Sequence, residues 1–180
     1  GPFLLHQERS FFGVLRVMEV DSQEQEKDRR SLIHGTTIHG IQYLVGRERK
    51  RPTSYFGLAT GIGVALSQRT PGKSLSVGVV GLGVGTLAAY GRTGDRFRFY
   101  EIDPAVIRIA GEGGYFSFVS DSDAAVELIQ GDARLSLQRE MDEDGGHDFD
   151  VLIIDAFSSD SIPVHLITRE VFDLYFKHLK

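Results

Sequence analysis

The sequence has no cysteine among its 180 residues. This absence excludes disulfide bonds, thiolate nucleophiles and zinc sites with cysteine ligands. Long apolar runs are also missing, and no stretch is long enough to span a bilayer as a helix. Basic residues are not in excess, because the formal net charge is −5, whereas non-specific nucleic-acid binding usually needs a basic surface. We therefore expect no nucleic-acid partner.

The residues that are present are typical of a folded globular chain, with 41% hydrophobic and 25% charged residues. The stretch from Phe11 to Val20 is rich in aromatic and β-branched residues, which predicts a strand. Residues 31–44 predict one or two further short strands, broken by Gly35 and Gly40. We therefore expect residues 1–54 to form a small N-terminal β-meander.

Strands and helices alternate in the rest of the chain, residues 55–180. Apolar residues at helical spacing predict a helix over residues 55–68. Four runs predict strands: "SLSVGVVGLG", "RFRFYEID", "AVELIQGDA" and "FDVLIIDAF". Each run is followed by a predicted helix; the first helix starts in "GTLAAYG", and the last has Thr168 as its predicted N-cap. This alternation indicates βαβ units and an α/β fold with a parallel sheet.

Every predicted strand of this parallel sheet ends in glycines or in an acidic residue. In open parallel sheets, ligands bind outside the carboxyl ends of the strands. A single acid at such a position is often only a helix cap, and Asp103 before Pro104 can be explained in that way. Several acids and a glycine loop at one edge of the sheet instead predict a ligand site, formed by Gly81, Gly83, Gly85, Glu101, Asp132 and Asp155.

The glycine loop, Gly81 to Gly85, departs from the dinucleotide-binding fingerprint, which has its third glycine where this chain has Thr86. A GxGxG loop suits a ligand without a pyrophosphate, such as an adenosylmethionine-type cofactor whose tail lies across the loop. Glu101 follows the loop at the spacing of about 20 residues that is expected of an acid binding ribose hydroxyls. Asp132 is suitably placed to accept a hydrogen bond from the adenine amino group, which leaves Asp155 to face the reactive end of the cofactor.

Four motifs resemble, in their order and spacing, those of the polyamine aminopropyltransferases, the spermidine synthase family: "VVGLGVGTL", "YEIDP", "IQGDAR" and "FDVLIIDAFSSDSIP". The earlier stretches "ERSFFGVLRV" and "LIHGTTIHGIQYL" resemble the small N-terminal β-domain of that family. The resemblance implies a Rossmann-like, class I methyltransferase-type fold. It also implies transfer of an aminopropyl group from decarboxylated S-adenosylmethionine to an amine such as putrescine, with release of methylthioadenosine and without a metal.

The resemblance also implies roles for individual residues. Glu101 would bind the ribose, Asp132 the adenine, and Asp155 would help to deprotonate the attacking amine. Asp160 takes the part of the second acid in the family's Asp-Ser-Ser-Asp stretch, although the stretch is two residues longer here. Tyr55 and Gln42 are candidates for the substrate pocket. A homodimer is implied as well.

Three departures from the family pattern concern acids that would bind a cationic ligand. Val84 stands where the glycine loop of the family carries an aspartate that pairs with the aminopropyl ammonium. The family's Leu-Asp-Gly appears here as Leu-Ile-His-Gly, with His34, and its Tyr-His-Glu appears as Tyr55-Phe56-Gly57. These substitutions resemble a divergent bacterial branch in which the domain is fused to a transporter-like membrane region. That resemblance implies a cytoplasmic piece of a longer protein, which the fused region can attach to a membrane.

Two other functions stay open on the sequence alone. A methyltransferase is favoured by Val84, because nothing there discriminates against carboxylated S-adenosylmethionine, but the Asp-Ser-Ser-Asp-like stretch counts against it. A non-catalytic sensor of nucleosides or polyamines is favoured by the missing acids, whereas Asp155 favours catalysis. His34 and His39 could bind a metal together, but no third ligand is evident nearby, so a substrate-facing or structural role is the preferred interpretation.

Overall fold

The computed structural model describes residues 1–24, 27–111, 113–156 and 162–180. Its first part is an antiparallel sheet of β1 (Pro2–Ser10), β2 (Gly13–Val20), β3 (Arg29–His34) and β4 (Thr37–Tyr43), paired in chain order. This sheet confirms the predicted β-meander, although β1 precedes the first strand that the sequence predicted. Gly35 lies in the turn between β3 and β4, whereas Gly40 was wrongly expected to break the second of these strands.

The strand β4 contains a β-bulge at His39. Leu32 of β3 pairs with Gly40, and Ile33 pairs with Ile38, so His39 is an extra residue that faces no partner in the ladder. A bulge bends its strand and re-aims a side chain, and bulges are frequent next to functional sites. The direction of the His39 side chain is therefore set by an irregularity of the strand and not by simple alternation.

The parallel sheet consists of β5 (Ser76–Val80), β6 (Arg96–Glu101), β7 (Ala125–Gln130) and β8 (Val151–Ile154), in the order β7-β6-β5-β8. Its three strand pairs are all parallel, which confirms the predicted α/β fold. The chain runs outward from β5 to β7 and then crosses back to place β8 on the other side of β5. The strand order thus reverses between β5 and β8, and ligands bind at such a reversal.

The α-helices are α1 (Gly61–Ser67), α2 (Pro104–Ala110), α3 (Ala133–Asp144) and α4 (Arg169–Lys177). Thr168 caps α4, as predicted, and its hydroxyl accepts a hydrogen bond from the amide of Val171. Thr86–Tyr90, where the sequence predicted a helix start, is a 3-10 turn of 5 residues, preceded by Gly85 in the left-handed conformation and followed by Gly91 in an extended one. Among the described residues, no helix has the length and apolar character needed to cross a membrane.

The antiparallel sheet packs beside the glycine loop. Leu15, Val17 and Leu32 of β2 and β3 are buried in the same hydrophobic cluster as Val84. A Cβ on Gly40 would lie 2.4 Å from a methyl carbon of Val84, so only glycine permits this close approach of β4 to the loop. A second cluster holds α3 and α4 against the parallel sheet. Residues of both sheets can therefore line one cavity.

Candidate functional site

A cavity of about 260 Å³ opens at the carboxyl ends of the parallel strands. One side, which we name the sheet-edge wall, consists of residues that follow β5 to β8 or end them. They are Gly81, Gly83, Glu101, Asp132 and Asp155. A second group of lining residues, which we name the hairpin wall, belongs to the antiparallel sheet and its first turn. It consists of Phe12, Leu15, Leu32, His34 and His39.

The glycine loop lets the end of β5 approach β8 closely. Gly81 has a φ of +98°, and a Cβ there would lie 2.5 Å from the backbone oxygen of Asp155. Gly83 also has a positive φ and lines the cavity. Gly85, which the sequence predicted to contact the cofactor, is not among the lining residues; a Cβ there would meet the Val119 side chain at 2.8 Å. Its left-handed conformation serves the turn before Thr86.

Glu101, at the end of β6, is held by the backbone on both carboxylate oxygens. The amide of Leu82 donates to Oε2 and the amide of Asp103 donates to Oε1, each at 2.9 Å. Glu101 is only 9% exposed, and burial raises the pKa of its carboxyl although these two hydrogen bonds act in the opposite direction. Each oxygen keeps a second lone pair. The side chain can therefore accept two further hydrogen bonds, as a ribose diol requires.

Asp132 caps α3 and also contacts a histidine that the sequence did not indicate. Its Oδ1 accepts a hydrogen bond from the amide of Leu135 at 3.0 Å, and its Oδ2 lies 2.8 Å from Nε2 of His165. His165 comes from the 3-10 turn Val164–Leu166 after β8 and lines the same cavity. No spacing in the sequence connects residues 132 and 165, so only the fold reveals this pair.

Asp155 follows β8, and its amide donates to the backbone oxygen of Val80 at 2.8 Å. Burial raises the pKa of its carboxyl to about 7; a hydrogen bond from Tyr55 lowers the pKa and the charge of Glu101 raises it further. Tyr55 lies in the 3-10 turn Ser54–Phe56 and lines the cavity. Burial and the charge of Asp155 raise the pKa of the Tyr55 hydroxyl to about 12, so it stays a hydrogen-bond donor. A carboxylate that titrates near neutral pH suits general base catalysis.

The hairpin wall contributes two imidazole rings, with centroids 5.5 Å apart. His34 Nε2 lies 2.8 Å from the backbone oxygen of Phe12, and a carbonyl only accepts, so this nitrogen carries the proton. Nε2 of His39 is buried and has no hydrogen-bond partner in the part of the chain that the structure describes. Burial lowers the pKa of His39, and the neighbouring His34 lowers it further. Burial therefore favours the neutral form of the His39 imidazole.

Two predicted site residues lie elsewhere. Gln42, expected at the substrate pocket, is 2% exposed and does not line the cavity. Its Nε2 donates to Ser117 Oγ at 2.8 Å and to the Arg49 carbonyl at 3.0 Å, and its Oε1 accepts from the Ser117 amide at 2.8 Å. Gln42 therefore ties the antiparallel sheet to the segment before β7. Asp160 lies outside the described residues.

The remaining cavity acid, Asp103, has a structural role. Its Oδ1 accepts a hydrogen bond from the amide of Ala105 and caps α2, and its Oδ2 accepts from the Ser10 hydroxyl at 2.6 Å. The alternative interpretation of Asp103 as a cap is thus confirmed. Within residues 1–24, 27–111, 113–156 and 162–180, no group of three or more His, Asp and Glu side chains could hold a metal.

Protein-family models and curated proteins give no match to this chain. Solved structures, in contrast, are similar to it. A probable spermidine synthase from Corynebacterium glutamicum is similar with a TM-score of 0.69 and 19% identity over 97% of this chain and 60% of that one. Spermidine synthase from Thermotoga maritima is similar with a TM-score of 0.65 and 18% identity over 98% and 54% of the two chains.

A third similar structure is a spermidine synthase in complex with the transition-state analogue AdoDATO, with a TM-score of 0.60, 16% identity and coverage of 98% of this chain and 53% of that one. The chain described here thus spans little more than half the length of these proteins. At such low identity the likeness establishes the fold alone. The chain has a spermidine synthase-like fold, with a small antiparallel sheet before the parallel one.

Proposed function

We propose that this chain belongs to a transferase that uses an adenosyl-sulfonium cofactor and moves an aminopropyl group from decarboxylated S-adenosylmethionine to an amine such as putrescine. One observation carries the proposal: Glu101, Asp132 and Asp155 line a single cavity at the reversal of strand order, beside Gly81. Similar folds in spermidine synthases, one of them bound to AdoDATO, support it.

In this proposal the sheet-edge wall binds the nucleoside. Glu101 accepts the two ribose hydroxyl protons with its free lone pairs, and its position is fixed by the amides of Leu82 and Asp103. Asp132 accepts from the adenine amino group. Gly83 lets the cofactor tail cross the loop without a side chain in its path. The nucleoside thus spans the ends of β5, β6 and β7, with its sulfur towards β8.

The reaction requires a neutral amine, because an ammonium ion has no lone pair. Asp155 takes the proton, and the amine nitrogen then attacks the carbon next to the sulfonium. The carbon–sulfur bond breaks, its electron pair stays on sulfur, and methylthioadenosine leaves. A pKa of about 7 for Asp155 lets the carboxyl accept this proton and return it to solvent near neutral pH. Orientation of the amine in line with the breaking bond supplies a further part of the rate.

The test is incubation of the protein with decarboxylated S-adenosylmethionine and putrescine, followed by mass spectrometry of the amine. We expect an added aminopropyl group and an equal amount of methylthioadenosine. If calorimetry shows tight binding of methylthioadenosine but no amine is modified, a nucleoside sensor replaces the enzyme. If methylthioadenosine does not bind, the nucleoside site itself is wrong. The homodimer and the fused membrane region stay predictions from the resemblance.

Methyl transfer from S-adenosylmethionine is a second candidate, and Val84 favours it. Val84 is 1% exposed and packs against Gly40, so this position of the glycine loop offers no carboxylate to an ammonium on the cofactor tail. A methyltransferase would yield a methylated amine and S-adenosylhomocysteine. The same mass measurement with S-adenosylmethionine as the cofactor distinguishes the two reactions.

A further inference from the structure

The hairpin wall differs from the sheet-edge wall in the charge that it presents. Its residues at the cavity are apolar or are histidines, and none of them is acidic: Phe12, Leu15, Leu32, His34 and His39. The described acids of the cavity, by contrast, all lie at the ends of β6, β7 and β8 or directly after them. A ligand that reaches the hairpin wall meets imidazoles and apolar side chains and no carboxylate.

His39 is the residue of this wall whose hydrogen bonding is incomplete among the described residues. Its position in the bulge of β4 frees it from the alternation of the strand. Its Nε2 is buried without a partner among the described residues, which is rare for a polar atom in a folded protein. The neighbouring His34 uses its own Nε2 for the Phe12 carbonyl. A hydrogen-bonding group of a ligand would give this nitrogen the partner that it lacks.

His39 also lies next to the glycine loop. A Cβ on Gly83 would be 3.1 Å from the backbone oxygen of His39, so the loop and the bulge are in contact. In the proposed function the cofactor tail crosses this loop at Gly83, where the loop contacts the hairpin wall. Val84 offers that tail no charge, because its side chain is turned into the core against Gly40. His39 is thus a polar residue of the hairpin wall that lies beside the loop.

A tail that ended only in an ammonium would find no acid on this wall, and an unpaired buried cation is strongly disfavoured. An amino-acid tail also carries a carboxylate, which accepts a hydrogen bond from an imidazole N–H and stabilises its protonated form. We propose that His39 binds the carboxylate of S-adenosylmethionine, and that the protein transfers the 3-amino-3-carboxypropyl group of this cofactor to an amine. This inference rests on the proposed nucleoside site and base and concerns which sulfonium cofactor that site accepts; if it fails, aminopropyl transfer from the decarboxylated cofactor remains the proposed reaction.

The step balances with no further reactant. The amine nitrogen forms a bond to the methylene carbon that joins the amino-acid part to sulfur, and the carbon–sulfur bond breaks. Its electron pair neutralises the sulfonium, so methylthioadenosine leaves as a neutral molecule. The proton of the amine passes to Asp155 and then to solvent. The product is the acceptor amine with an amino-acid arm.

The test compares three ligands by calorimetry: S-adenosylmethionine, its decarboxylated form and methylthioadenosine, which has no amino-acid tail. His39→Phe keeps a ring but removes both nitrogens, and His39→Gln returns an N–H donor. Since a hydrogen bond to a charged group is among the stronger ones, we expect His39→Phe to weaken S-adenosylmethionine binding about tenfold or more. We expect His39→Gln to recover most of it, and neither change to affect methylthioadenosine.

His6→Gln is the matched control, because His6 lies in β1 and stacks on Tyr115 away from the lining residues. Unchanged methylthioadenosine binding by His39→Phe shows that the variant is folded. Mass spectrometry of the amine after incubation with S-adenosylmethionine then identifies the transferred group. Addition of the aminocarboxypropyl group supports the proposal, and addition of a methyl group contradicts it.

The carboxylate could instead belong to the acceptor. With methylthioadenosine bound, titration with putrescine and with 4-aminobutyrate distinguishes this source. If His39→Phe weakens 4-aminobutyrate but not S-adenosylmethionine, the cofactor assignment is overturned. Tighter binding of decarboxylated than of carboxylated cofactor by the unaltered protein also overturns it, while leaving the nucleoside site intact. Failure of methylthioadenosine to bind would instead reject the proposed function.

Discussion

The sheet-edge wall holds acidic side chains through backbone hydrogen bonds, whereas the hairpin wall holds its side chains through packing and a bulge. Glu101 accepts two amide N–H groups and Asp132 accepts one, so these carboxylates are fixed before any ligand arrives. His39 has a buried nitrogen with no partner in the described part of the chain. The first wall suits a constant part of a ligand, such as a nucleoside. The second is where the variable part would be selected.

Burial shifts the pKa of the acids on one wall and of the histidine on the other in opposite directions, and each shift disfavours the charged form. It raises the pKa of Glu101 and Asp155 and lowers the pKa of His39, because a charged group loses its hydration in either case. Burial therefore makes the charged form of each of these three side chains less favourable than it is in water. A sulfonium near Asp155 would favour its carboxylate, and a carboxylate near His39 would favour its imidazolium. Binding of a charged cofactor would thus prepare both walls for the reaction.

The largest effect is expected for Asp155→Asn, which removes the proton acceptor of the sheet-edge wall. General base catalysis contributes about 10²–10⁴-fold to rates, so turnover of the amine should fall by that factor while methylthioadenosine binding stays intact. Turnover is measured by mass spectrometry and binding by calorimetry. Asp173→Asn, on the exposed face of α4, is the control. Unchanged turnover in Asp155→Asn would show that another group takes the proton.

The next effect in size distinguishes the two walls directly. Glu101→Gln replaces one acceptor oxygen with an NH₂ group that faces a backbone N–H, so the side chain can no longer hold a ribose diol. Loss of hydrogen bonds to a charged group costs about 1.5–3 kcal/mol, which corresponds to about 10- to 100-fold in affinity. The loss should be equal for methylthioadenosine and both forms of the cofactor, because all three carry the ribose.

Glu143→Gln, at an exposed position of α3, controls for the loss of a negative charge. A thermal melt of Glu101→Gln shows whether the variant remains folded. If the affinity loss appeared only for ligands with a tail, Glu101 would belong with His39 in selecting the tail, and the division of the cavity into two walls would be wrong.

The sheet-edge wall could be predicted from sequence because one topological rule places the carboxyl ends of parallel strands together. Glu101, Asp132 and Asp155 needed only the recognition of β6, β7 and β8 as parallel strands. The hairpin wall could not be predicted in this way, since it depends on how one sheet packs on another. The bulge at His39 cancels the alternation from which a side-chain direction is inferred, and Leu15 and Leu32 are distant from the loop in sequence.

Gln42 also shows that packing between elements cannot be predicted from the sequence. The family resemblance suggested a pocket residue, but Gln42 lies two residues after Gly40 and shares the buried face of β4. The meeting of Asp132 with His165 was also beyond sequence reasoning, because it joins the start of α3 to the turn after β8. Both observations depend on contacts between elements that the sequence predicts separately.

Gln42→Ala is expected to affect stability and not binding. Three hydrogen bonds link Gln42 to Ser117 and Arg49, and leaving buried partners unsatisfied costs about 1–3 kcal/mol. Chemical denaturation should show that loss, while the affinity for methylthioadenosine stays the same. Gln7→Ala, on exposed β1, should change neither quantity. A tenfold loss of affinity for methylthioadenosine in folded Gln42→Ala would instead show that Gln42 contributes to binding.

The smallest effect is a shift of the pH profile in Tyr55→Phe. The Tyr55 hydroxyl stabilises the Asp155 carboxylate and lowers its pKa, which is about 7 with that bond in place. A hydrogen bond contributes ~1 kcal/mol, and one pKa unit equals ~1.4 kcal/mol, so the pKa should rise by about 0.7 unit when the bond is lost. The activity that appears as Asp155 loses its proton should therefore appear at higher pH.

The pH dependence of kcat/KM measures this shift, with Tyr43→Phe at the end of β4 as the control. The raised pKa of Asp155 also makes the stability of the protein depend on pH. A carboxyl whose pKa is raised by folding stabilises the protein most at low pH, and this contribution is lost as the pH rises through about 7. In Tyr55→Phe this loss of stability should continue to higher pH. In Asp155→Asn the melting temperature should no longer show this contribution to its pH dependence. A profile that moved to lower pH would mean that Tyr55 favours the protonated acid, and the assignment of Asp155 as base would then lose its support.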